Sequence, residues 1–125
     1  MSKKALENLT ESMFYVLMAF SEGAKCGTEV ADYVEKKTDG AVKLGPATLY
    51  TILGKFEVEA YIKETEVVGR KRTYEITDKG LQAYRDEIAR LWRCVMDAGR
   101  KEVLGDERTE ITGELDGALP SLSGV

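Results

Sequence analysis

A chain of 125 residues, 43% hydrophobic and 32% charged, has room for one domain with a modest core and the composition of an ordinary globular protein. Its net charge of −4 is concentrated in one place: residues 105–125 carry one cation, Arg108, against five anions, and the other 104 residues are balanced. Histidine is absent, which removes the commonest general base and the commonest transition-metal ligand, so enzyme and metal-site readings start weak.

The N-terminal MSKKALENL has no secretory apolar stretch. The longest apolar run, MFYVLMAF at 13–20, falls far short of the roughly 20 residues a membrane span needs. A cytoplasmic protein without membrane contact is expected. From Leu9 to Phe20, Leu9, Met13, Val16, Leu17 and Phe20 recur at steps of three and four, with Thr10 available as N-cap, which predicts a first helix. SEGAKCGTE at 21–29 reads as a connection, after which Val30, Tyr33 and Val34 predict a second, shorter helix ending in a turn at Gly40. Gly45-Pro46 then suits a helix start, with Gly45 as cap and Pro46 at the first helical position. On this third helix Leu49, Ile52, Leu53 and Phe56 share the core face. The opposite face holds Ala47, Thr51, Gly54 and Lys55, flanked by Thr48 and Tyr50.

Two runs of β-branched and aromatic residues, Ala60 to Val68 and Thr73 to Thr77, predict an antiparallel hairpin joined by GRKR. Thr77 or Asp78 can cap a fourth helix, along which Leu81, Tyr84, Ile88, Leu91, Val95 and Ala98 form a heptad seam that seeks another helix. The Gly-rich, acidic stretch from about residue 105 is expected to be disordered. Cys26 and Cys94 have no neighbouring ligand types and read as reduced thiols; no disulfide, metal or cofactor is expected.

Three short helices, a hairpin and a long helix in this order predict a mainly α protein with a two-stranded β-hairpin wing, a winged helix-turn-helix (α+β) followed by a dimerisation helix. The divisions expected are 1–78 for DNA binding, 79–104 for dimerisation and 105–125 for the tail. A helix enters the major groove only if its outward side chains are short or donate hydrogen bonds, and a basic loop beside it reaches phosphate. A polar turn alone would be an ordinary solvated turn, but adjacent cations following a groove-sized helix fit a polyanion better. This makes Thr48, Tyr50, Thr51 and Lys55, with Arg70, Lys71 and Arg72, the candidate DNA-binding residues.

The same stretches, LTESMFYVLMAFSEGAKCGTEVADYV, LGPATLYTILGKFEVEAYI and GRKRTYEITDKGLQAY, resemble the PadR family of bacterial transcriptional regulators from residue 9 to about 100. The most specific part is PATLYTIL, then GRKRTYEIT, then T-x-x-G at Thr77 to Gly80. The resemblance implies a dimeric repressor with its third helix in the major groove, its wing along the backbone, and a C-terminal helix forming the dimer through Leu81, Tyr84, Ile88, Leu91 and Val95. Three positions depart from the family's pattern. Cys26-Gly27-Thr28 stands where His-Gly-Tyr is usual, Gly54 where a lysine or arginine is common, and Ala60 where a turn glycine is usual.

Trp92 lies beside the seam, with Met96 one turn on. It reads as an anchor of the dimer interface or, since some family members are similar in stacking an aromatic on this helix against planar ligands, as a contact for a small aromatic effector.

The function expected is a sequence-specific repressor of double-stranded DNA, reading an inverted-repeat operator as a homodimer and relieved by a small molecule. The alternative is a winged-helix protein-interaction module without DNA binding, suggested by Thr28, Gly54 and the acidic tail. An enzyme is not expected, because Glu57, Glu59, Glu64 and Glu66 have no partner base, metal ligand or phosphate loop near them in the sequence.

Overall fold

The computed structural model describes residues 9–99. Their elements run α1 (Glu11–Ser21), β1 (Lys25–Cys26), α2 (Gly27–Lys37), α3 (Pro46–Val58), β2 (Ile62–Val68), β3 (Lys71–Ile76) and α4 (Asp78–Gly99). The protein is mainly α with one small antiparallel sheet.

Local chemistry sets the helix ends. Thr10 Oγ1 accepts the Met13 N–H at 3.1 Å and caps α1. Gly45 caps α3 and Pro46 occupies its first turn, as the Gly-Pro pair predicts. α3 ends in a Schellman motif: Tyr61 N–H donates to Phe56 O at 2.8 Å and Ala60 N–H to Glu57 O at 3.0 Å. The Phe56 and Tyr61 rings, 5.7 Å apart, supply the motif's apolar contact. Ala60 therefore holds a left-handed φ of 61°, which explains physically why glycine suits this position. α2 ends the same way, with Asp39 at φ 53° and Gly40 N–H on Glu35 O at 2.8 Å.

The core gathers the faces that the periodicity predicts. Met13, Val16, Leu17 and Phe20 of α1 meet Val30 and Val34 of α2 and Leu49, Ile52, Leu53 and Phe56 of α3, all buried. Val16, Leu17, Val30, Val34 and Phe56 are fully enclosed, which fixes which side of α3 is left to the solvent.

The sheet differs from the expected hairpin in two ways. It has three strands, in the order β1-β3-β2, because Lys25 and Cys26 pair with Tyr74 and Thr73. Two residues are too few for any alternation to mark a strand in the sequence. The turn is also tighter than GRKR: Val68 pairs with Lys71, so only Gly69 and Arg70 form the tip, and Lys71 and Arg72 belong to β3. Gly69 at φ 62° in the first loop position is the type II′ arrangement, which matches the twist of the flanking strands. A bulge at Thr65, between the Glu64–Tyr74 and Glu66–Thr73 pairs, bends β2.

The described residues divide into two units within α4, one ending at Glu87 and the other beginning at Ile88. In the first, Thr77 ties α4 to the rest: its Oγ1 accepts the Gly80 N–H at 3.0 Å, and its N–H donates to Tyr61 O at 2.9 Å. Gly80 packs so closely that a Cβ there would overlap Tyr61 O and stand 2.9 Å from Ile76 Cγ1. The T-x-x-G motif is thus a cap plus a close approach. Tyr84, assigned to the dimer seam from sequence, lies with its ring 5.5 Å from Phe14 of the same chain. In the second unit the described residues continue α4, with Leu91 and Val95 exposed and Ile88 partly buried. The tail expected over 105–125 lies outside the described residues.

Candidate nucleic-acid interface

With its apolar face committed to the core, α3 turns Ala47, Thr48, Tyr50, Thr51, Gly54, Lys55 and Val58 outward. Tyr50 is 63% exposed and Val58 83%. The outward face is small and polar between these two, and a Cβ at Gly54 would meet nothing within 4 Å. A helix of this profile admits close approach of a flat or grooved partner.

Both flanks of α3 are concave. On one side a cleft of about 670 Å³ runs between the first turn of α2, Tyr50 and the wing residues Arg70, Lys71 and Arg72. On the other, Thr10, the cap of α1, and Ser12 face Thr48, Thr51 and Lys55 across a groove of about 360 Å³. All seven candidate residues named from the sequence therefore line one or other of these two depressions. Tyr50 shares the first with the wing, while Thr48, Thr51 and Lys55 share the second with α1. The groove beside α1 went unseen in the sequence because it is made by packing, not by spacing.

The three wing cations differ. Arg72 Nη1 lies 3.3 Å from Glu64 Oε2 across the hairpin, whereas no carboxylate among the described residues pairs with Arg70 or Lys71. Arg70 at the tip and Lys71 at the start of β3 are thus the cations left to an outside anion. Lys25, by contrast, is folded back: its Nζ donates to Ala19 O at 2.8 Å and sits 5.2 Å from the Tyr33 ring centre. Burial, then the bond that Tyr33 donates to Glu22 at 2.8 Å, pushes the Tyr33 phenol upward, so it stays neutral.

Glu29 is a residue that the sequence reading passed over. Its Oε1 accepts the Cys26 N–H at 2.8 Å across the first turn of α2. That bond, with Lys71 and Lys25 nearby, holds its carboxyl below the ordinary carboxylate range. Because the folded value is lowered, the stabilisation is present above the unfolded carboxylate value and is lost as pH falls through the folded one. The signal was available: a reciprocal cap needs a glutamate three residues after the cap, but Cys26 in place of Ser or Thr disguised it. Cys26 itself is buried, its Sγ 3.3 Å from Thr28 Oγ1.

Among the described residues no group of His, Cys, Asp or Glu is placed to hold a metal ion, and no helix is long and apolar enough to cross a membrane. The surface offers cations, hydroxyls and small side chains around one helix, a binding surface.

The sequence matches the transcriptional regulator PadR-like family over residues 16–86, more than half of the chain. The chain belongs to the PadR-like family. Among solved structures, this PadR-like chain is similar to a transcriptional regulator from Clostridium thermocellum, at 27% identity over 74% of this chain and 89% of that one, with a TM-score of 0.63. Two more distant likenesses show the same fold. RosR of H. salinarum, in a complex structure, is 23% identical over 93% of this chain and 98% of its own, with a TM-score of 0.62. The PcaV transcriptional regulator of Streptomyces coelicolor is 18% identical over 93% and 81%, with a TM-score of 0.64. No curated protein matches the sequence. The PadR-like match runs from the middle of α1 into α4 and so contains α3, the wing and both depressions apart from Thr10, Ser12 and Met13. It places the chain among DNA-binding transcriptional regulators and not among enzymes.

Proposed function

We propose that this PadR-like chain is a homodimeric repressor that reads an inverted-repeat operator in double-stranded DNA and is released from it by a small molecule. The carrying observation is the exposed face of α3 with a cation-lined cleft along its flank. Thr48, Tyr50, Thr51 and Lys55 enter the major groove, where hydroxyls and an ammonium can donate to base edges. Arg70 and Lys71 hold the flanking phosphates, and Arg72, oriented by Glu64, supports them.

Pairing of two copies uses α4, where Leu91 and Val95 are exposed apolar residues at a four-residue step. An aromatic effector contacts Trp92 and Met96, one turn apart on that helix. A dimer of reading helices presents two half-sites about one helical turn apart. Selection of bound duplexes from random DNA tests the reading: an enriched inverted repeat is expected, and an enriched single site or no enrichment counts against it.

A further inference from the structure

Within the cleft between α2 and the wing, one group opposes the others. Arg70, Lys71 and Arg72 line it, and so does one carboxylate, Glu29. The Cys26 N–H anchors that carboxylate at 2.8 Å, at the helix start where free N–H groups would otherwise receive an outside anion. Glu29 is exposed, and none of the ion pairs among the described residues includes it. Its charge, offset only in part by Lys71 and Lys25 nearby, faces whatever enters the cleft.

We propose that Glu29 is an affinity-limiting residue of the DNA interface: its anchored carboxylate stands where a backbone phosphate would be received and holds down sequence-independent binding. This rests on the reading of the cleft as a phosphate-binding surface. Phosphate contacts supply most of the binding that ignores sequence, so a fixed anion among them acts as a built-in repulsive element. The anchoring bond makes the effect local and persistent, because the carboxylate cannot swing away without leaving the Cys26 N–H unpaired. Capping alone would not need the charge, since the amide oxygen of glutamine accepts the same bond.

The test compares the full-length protein with Glu29→Gln, with Thr28→Glu, which adds a second carboxylate at the same helix start, and with the double variant Arg70→Ala/Lys71→Ala. Fluorescence anisotropy reads binding to a labelled duplex of arbitrary sequence. At low salt Glu29→Gln is expected to bind roughly 3- to 10-fold more tightly than the wild type and Thr28→Glu more weakly by a similar factor, both differences shrinking as salt shortens the Debye length. A cooperative urea transition, with its midpoint only slightly below the wild type's as loss of the stabilising carboxylate charge requires, shows that the Gln variant is folded. Equal or weaker binding by Glu29→Gln, while Arg70→Ala/Lys71→Ala still loses affinity, overturns this inference and leaves the DNA reading standing. If the Gln variant does not fold, unchanged affinity in Thr28→Glu overturns it instead. A wild type that binds no duplex overturns both.

Discussion

At single positions, two small residues are out of keeping with their surroundings. Ala60 carries a left-handed φ of 61° that an L-side chain adopts at a cost of about 1–2 kcal/mol. Glycine relieves that strain but loses more chain entropy on folding, so Ala60→Gly is expected to raise unfolding free energy by about 0.5–1 kcal/mol, read from urea midpoints. A lower midpoint would mean that the Ala60 methyl is a packing contact. Gly54 is the converse case, a glycine inside a helix with open space around it. Gly54→Lys is expected to stabilise α3 by about 0.5–1 kcal/mol and, by adding a phosphate contact, to steepen the salt dependence of DNA binding by about 0.9 in log–log slope. The resemblance singles out both positions from sequence, but the reason at Ala60 is visible only in the Schellman hydrogen bonds that close α3.

At the scale of elements, helices were legible and strands less so. The faces of α1 and α3 follow from their three-and-four spacing, and Gly45-Pro46 starts α3 as its chemistry requires. The caps at Thr10 and Thr77 were likewise readable. β1 was not, because a two-residue strand is defined by its partner, and the wing turn was overextended, because cations such as Lys71 and Arg72 suit a strand edge as well as a loop. The candidate site was legible as a set of residues but not as a shape. Nothing in the spacing of Ser12 and Lys55, or of Glu29 and Lys71, shows that each pair lines a common depression. The junction of wing and α4 is the most demanding element. Gly80→Ala would press a Cβ against Tyr61 O and Ile76, and is expected to cost about 2–3 kcal/mol in urea unfolding. A cost below about 0.5 kcal/mol would show that the start of α4 can move aside, as tolerated surface changes do.

For the whole molecule, the distribution of charge matters more than its sum. The chain's excess of −4 is matched by residues 105–125, while Arg70 and Lys71 stand without carboxylate partners among the described residues of the part that carries α3. An acidic isoelectric point of about 5.0 is thus compatible with a cationic wing, since local potential and not net charge meets a phosphate backbone. In the proposed function, α3 reads DNA while the wing neutralises phosphate beside it. The most direct test is the salt dependence of duplex binding by the wild type and by Arg70→Ala/Lys71→Ala. The log–log slope should fall by about 1 for each phosphate contact removed, so by about 2 for the double variant, with weaker binding at every salt concentration and the same preferred sequence. Unchanged affinity and slope in a folded double variant would contradict it.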